Sequence, residues 1–162
     1  MSADLLSVAI ALGSNVGDRL TLLCSAIADV GAMKGVTVRA ETPVEETVAL
    51  GDPQPAFLNQ MVLIESSGTL PELLSKLQSI ELRHGRVRTV PKGPRTLDID
   101  IVWAQDQVVT SSDLLVPHPG LAERAFWQRE LALLLGVDAA RDAIDAARIH
   151  AGMDTSPRAT VR

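Results

Sequence analysis

Two amphipathic helical patterns, Asp18 to Gly31 and Thr69 to Gly85, each begin just after a short apolar strand-like run. That ordering constrains the chain more than any other feature. The first run, Leu6 to Leu12, is closed by Gly13-Ser14-Asn15 and reads as a buried strand entering a turn. The helix that follows presents Leu23, Ile27 and Val30 at helical spacing, with Gly31 near its stop. Val36 to Arg39 and Phe57 to Glu65 read as two more strands. Thr69-Leu70-Pro71-Glu72 is a capping box with proline in the first turn, opening a helix that packs through Leu70, Leu73, Leu74, Leu77 and Ile80. Thr96 to Trp103 reads as a fourth strand, with Val108-Val109 as its hairpin partner.

The order βαββαβ predicts an α+β, ferredoxin-like fold. In that arrangement an antiparallel sheet carries both helices on one face and leaves the other free. Further helices are expected within Leu121 to Leu135 and Ala139 to Ala147, closing an edge of the core. Glu41 to Pro55 holds three prolines and no clear period, so it is expected to be a loop of unusual length for a small domain. At 162 residues and 46% apolar content, one domain over residues 1–150 is expected, with 151–162 as a flexible tail.

The formal net charge of -5 gives no basic field for nucleic acid or an anionic membrane, so anions must be held locally. The opening MSADLLSVAIALGSN has no basic n-region and its apolar run breaks early. Neither a signal peptide nor a membrane span is expected, and the location is expected to be cytoplasmic. Cys24, the single cysteine, lies among Leu22, Leu23 and Ile27 and is expected to be a small buried hydrophobe.

Chemistry is concentrated in Thr96-Leu97-Asp98-Ile99-Asp100-Ile101. Strict alternation on a strand puts Asp98 and Asp100 on one face and the three apolar side chains on the other. Paired hard carboxylates suit magnesium carried with phosphate oxygens. A lone D-x-D is more commonly a solvated polar face. What shifts the balance is Arg83, Arg86, Arg88, Lys92 and Arg95, within thirteen residues just before it. Guanidinium groups match phosphate oxygens in bidentate fashion, although Arg83 is equally a solvated residue at a helix end. No G-x-x-x-x-G-K-[ST] occurs, so no P-loop cradles a nucleotide. His118 stands between Pro117 and Pro119 on a stiffened loop, where imidazole can donate to phosphate or stack. Phe57 and Phe126 are the only phenylalanines in a chain without tyrosine.

Taken together, these segments resemble the 6-hydroxymethyl-7,8-dihydropterin pyrophosphokinases of folate synthesis, from Ala9-Ile10-Ala11-Leu12-Gly13-Ser14-Asn15 to Arg124-Ala125-Phe126. The most specific part is Ile80-Glu81-Leu82, Gly85-Arg86-Val87-Arg88 and Gly93-Pro94-Arg95-Thr96-Leu97-Asp98-Ile99-Asp100-Ile101. The resemblance implies transfer of the diphosphate of ATP to the pterin hydroxymethyl group, giving AMP, with two magnesium ions held by Asp98 and Asp100. It implies catalytic roles on the phosphates for Arg86 and Arg95, and ATP contacts from Arg88, His118 and Arg124, with Gln78, Glu81 and Ile101 near the nucleoside. It also implies a pterin held between Phe57 and Phe126, read by Asn59, and met by the loop at Thr47 and Leu50. A monomer acting on ATP and the pterin, without nucleic acid or membrane, is expected.

The chain departs from the family pattern in three places. Val48-Ala49 stands where proline is usual, no tryptophan occurs between Arg88 and Gly93, and Trp127-Gln128-Arg129-Glu130-Leu131 replaces a more apolar run. Two other readings compete with the resemblance. One is a different magnesium-dependent phosphoryl or nucleotidyl transferase; the other is a non-catalytic ligand-binding module on the same fold.

Overall fold

In β1 (Leu6–Ser14), Val8, Ile10 and Leu12 point to one side of the sheet, while the small residues Ala9, Ala11 and Gly13 point to the other. This large/small alternation sets up two layers of different thickness. The computed structural model describes residues 4–49, 53–85 and 96–153. Its elements continue as α1 (Arg19–Ala32), β2 (Val36–Glu41), β3 (Glu45–Thr47), β4 (Phe57–Ser66), α2 (Leu70–Arg83) and β5 (Asp98–Ala104). They end with β6 (Val109–Thr110), β7 (Leu115–Val116), a 3-10 turn (Pro119–Ala122), α3 (Ala125–Leu135) and α4 (Val137–His150).

The main sheet runs β2-β4-β1-β5, with antiparallel pairing throughout and β3 also paired to β4. This is the expected ferredoxin-like order. Val8, Ile10, Leu12, Val62, Ile64, Ile99 and Ile101 form the core beneath α1 and α2, joined by Leu23, Val30, Leu73, Leu77 and Ile80. Both helices start on side-chain caps. Asp18 accepts from the Thr21 N–H, and the Thr69–Glu72 capping box is closed in both directions.

Four expectations need correction. The segment from Glu41 to Pro55 contains β3, which lies along the same edge of β4 as β2. Thr42 fills the break between them, its Oγ1 accepting from the Met61 N–H at 2.9 Å and its carbonyl from Gln60 Nε2 at 2.7 Å. The sheet's second face is covered, not free: Leu121, Trp127, Leu131, Ala140, Ala143 and Ala147 pack on Ala9, Ala11, Met61 and Val102. Alanines on both surfaces allow α3 and α4 to sit there instead of at an edge. The partner of β6 is β7, not β5. Cys24 is exposed, because it sits one position, about 100°, round from Leu23 on α1.

Among the described residues, no helix is long and apolar enough to cross a membrane.

Candidate active site

On β5, Ile99 and Ile101 enter the core under α2, whereas Asp98 and Asp100 point to the face that α3 and α4 cover only in part. The helical cover begins at Val102, which leaves both carboxylates half-exposed. A one-residue bulge shifts the register between Ile10↔Ile101 and Ala9↔Trp103. Beyond it both Val102 and Trp103 serve the second layer, so the bulge marks where the polar end of the strand gives way to the apolar end. The buried Glu81 carboxylate on α2 accepts from the Ile99 N–H at 3.4 Å, which fixes the strand midway between the two aspartates.

Two clefts meet at this strand. The first, about 170 Å³, is lined by Gly13, Thr47, Phe57, Asn59, Phe126 and Trp127 together with Asp98, Asp100 and Arg124. The second, about 440 Å³, is lined by Gln78, Glu81, Ile101, His118 and Pro119 together with the same Asp98, Asp100 and Arg124. The larger cleft is the more polar one, as a phosphorylated ligand would need. Among the described residues, those assigned to a pterin and those assigned to a nucleotide therefore line adjoining spaces that share the two carboxylates and Arg124.

Each wall of the smaller cleft has a structural cause. Asn59 is 7% exposed, and its Nδ2 donates to Thr47 Oγ1 at 2.6 Å, linking β4 to β3. β3 is itself held from both sides, by Glu46 with Arg19 of α1 at 3.0 Å and by Glu45 with Arg129 of α3 at 3.1 Å. Gly13 opposes Asn59 across the ladder, and a Cβ there would stand 3.2 Å from Asn59 Oδ1 and 3.4 Å from Phe57 Cδ1. The Gly13-Ser14-Asn15 turn thus serves the site as well as chain reversal: Asn15 Nδ2 donates to Gln54 Oε1 at 2.8 Å and the Pro55 carbonyl at 2.9 Å, holding the segment that leads into Phe57.

At the junction, His118 Nδ1 accepts from the Gly120 N–H at 2.9 Å. The neutral ring then carries its proton on Nε2, 3.7 Å from Asp100 Oδ1. Burial, reinforced by the Arg124 charge and opposed by Asp98, lowers the His118 pKa to about 4. At neutral pH its approach to Asp100 is therefore a dipolar contact and not an ion pair.

Trp127 is the residue that sequence reasoning missed. It is buried, the Arg124 guanidinium lies 4.2 Å from its ring centroid, and the His118 ring meets it edge-on at 5.1 Å. Phe126 packs against it at 6.3 Å. One indole thus backs three of the assigned side chains. The departure at Trp127 is a solid wall of the site, and its adjacency to Phe126 was the available signal. Leu50, Arg86, Arg88 and Arg95 lie outside the described residues.

Among the described residues, no group of three or more His, Cys, Asp or Glu side chains could hold a metal ion. Asp98 and Asp100 fit magnesium differently, as the one or two carboxylates that it takes alongside phosphate oxygens and water.

The family model for 7,8-dihydro-6-hydroxymethylpterin-pyrophosphokinase matches residues 9–135. The chain belongs to that family. It is 43% identical over 124 residues to the 2-amino-4-hydroxy-6-hydroxymethyldihydropteridine pyrophosphokinase of Bacillus subtilis, covering 76% of this chain and 74% of that protein. It is 37% identical over 139 residues to the protein of the same name from Methylorubrum extorquens, covering 82% and 88%. It is also 39% identical over 126 residues to Folic acid synthesis protein fol1 of Schizosaccharomyces pombe, where the match takes in 77% of this chain but 17% of the relative. The chain therefore spans under a fifth of that longer protein and about three quarters or more of the two bacterial pyrophosphokinases.

Proposed function

We propose that this pyrophosphokinase-family chain moves the terminal diphosphate of ATP onto the hydroxymethyl group of 6-hydroxymethyl-7,8-dihydropterin, releasing AMP. The observation that carries this reading is the meeting of the two clefts at Asp98, Asp100 and Arg124. Among the described residues, two ligands placed in them would meet at those side chains.

In this reading the pterin ring stacks between Phe57 and Phe126, and Asn59, oriented by Thr47, reads its amide edge. Thr47 and Leu50 add pterin contacts, as the family resemblance implies. The nucleoside lies toward Gln78, Glu81 and Ile101. Arg124 and the Nε2–H of His118 meet the phosphates, joined by Arg86, Arg88 and Arg95 as the family resemblance implies. Asp98 and Asp100 would hold two magnesium ions, which when bound neutralise charge on the phosphates. The pterin hydroxyl oxygen attacks the β-phosphorus in line as the bond from that phosphorus to the α–β bridging oxygen breaks, AMP leaving with that oxygen and the hydroxyl proton passing to solvent. The chain's contribution is positioning and electrostatics: β5 is braced by Glu81, and the aromatic and amide groups fix the acceptor. The active species is a cytoplasmic monomer that uses neither nucleic acid nor membrane.

Removing either phenylalanine tests the acceptor side. Phe57→Ala or Phe126→Ala should weaken pterin binding by about 1 kcal/mol or more, from lost stacking and burial, and leave ATP binding near wild type. Titration calorimetry with each ligand reads this directly. Unchanged pterin affinity in both variants would remove the aromatic sandwich, and a loss confined to ATP would reverse the assignment of the two clefts.

A further inference from the structure

The loop bearing His118 is held from an unexpected direction. The peptide unit joining Pro117 to His118 is bonded at both of its polar groups. Its N–H donates to the Val102 carbonyl of β5 at 2.9 Å, and its carbonyl accepts from His150 Nδ1 at 2.7 Å. A carbonyl can only accept, so His150 carries a proton on Nδ1. In the neutral ring Nε2 then accepts from Thr110 Oγ1 at 3.2 Å, tying the same imidazole to β6. His150 is the last residue of α4, beyond the 9–135 stretch that the family model matches. α4 is seated by Ala140, Ala143 and Ala147 in the layer that contains Leu121 and Trp127, so its end is a fixed platform.

We infer that His150 is a positioning residue for the nucleotide cleft, acting through the Pro117–His118 peptide unit to set the direction of the His118 ring. A peptide plane held at one group can still rock about that bond; held at both, it cannot. Without the His150 bond the Pro117 carbonyl would turn toward water, and His118 Nε2 would lose its alignment beside Asp100. Trp127 would still bound one edge of the His118 ring, so the change is a loss of precision and not a collapse of the loop.

This inference rests on the ATP reading of that cleft, so its test has two parts. Asparagine places an amide nitrogen where Nδ1 stands, whereas glutamine reaches the place of Nε2. His150→Ala should raise KM for ATP about five- to tenfold, with kcat and the pterin KM within about twofold of wild type. His150→Asn should recover most of the ATP KM, and His150→Gln should not. Equal values for all three variants, or rescue by glutamine and not asparagine, would overturn the inference.

The second part needs no turnover. With only three histidines in the chain, the His118 ring proton signals can be followed by NMR. They should shift in His150→Ala and return in His150→Asn. His118 signals that stay unmoved in His150→Ala overturn the inference even if the enzyme is active. Signals that move in a chain that does not use ATP would support the positioning and refute the nucleotide reading instead.

Discussion

Replacing Asp98 with alanine is expected to lower turnover by about a thousandfold or more while the protein stays folded and keeps its pterin affinity. The cause lies in where the side chain stands. Asp98 borders both clefts, at the place where the two substrates would react, but lies outside both apolar clusters. Strand β5 is held independently by Ile99 and Ile101 beneath α2 and by the Glu81 carboxylate on the Ile99 N–H. Losing the Asp98 carboxylate therefore removes a charge that the proposed transfer needs and little of the packing. Asp98→Asn, which keeps the shape and discards the charge, should be almost as inactive. Steady-state kinetics with saturating pterin, alongside a thermal melt, separates the two effects. Turnover within about tenfold of wild type in both variants would show that the carboxylate is not the phosphate-side ligand argued for here.

The second large effect concerns Glu130 and stability. Glu130 lies on α3 at 3% exposure, with Thr42 Oγ1 3.5 Å from Oε2 and, among the described residues, no hydrogen-bond partner for Oε1. Burial, and next the Glu45 charge on β3, raise its pKa from 4.5 to about 8; the Thr42 hydroxyl and Arg129 only partly oppose them. In the unfolded chain the same carboxyl ionises near its ordinary value, so between about pH 4.5 and pH 8 the folded state holds a proton that the unfolded state has released. The folded pKa is the higher one, so the associated stability is complete below pH 4.5, falls as pH rises through that window and is lost above about pH 8.

Glu130→Gln replaces the acid with a neutral amide of the same shape. It should flatten this slope and be more stable than wild type at pH 8.5 by about 2 kcal/mol. That is less than the full interval would give, because relaxation and water soften the burial. Urea denaturation from pH 5 to pH 8.5 measures it. Parallel stability curves for the two proteins would mean that Glu130 ionises normally in the fold.

The four long strands and α1 and α2 were legible because each is a short apolar run bounded by turn residues or carries a period of two or 3.6 residues, and the Thr69 capping box marked the start of α2 almost to the residue. Asp98 and Asp100 were legible for the same reason, since alternation alone puts them on one face. β3 was not. Glu45-Glu46-Thr47 is short, polar and flanked by prolines, and it is held by Arg19, Arg129 and pairing to β4, all distant in sequence. The position of α3 and α4 was hidden by a different cause. Their alanine-rich contacts look weakly apolar alone and become a packing surface only against the small residues Ala9 and Ala11 of β1. That alternation of large and small side chains in β1 was present in the sequence, but it gains its meaning only once a second layer is known. His150 was hidden likewise, because it meets the His118 loop at Pro117 from the end of a helix 33 positions on and carries no motif of its own.

The most direct test of the central claim is to incubate the purified protein with ATP and magnesium, with and without 6-hydroxymethyl-7,8-dihydropterin, and to resolve AMP, ADP and the pterin product by mass. The expected result is AMP formed only with the pterin present, in equal amount to a pterin carrying two phosphates. ADP with a singly phosphorylated pterin, or nucleotide turnover indifferent to the pterin, would contradict the account.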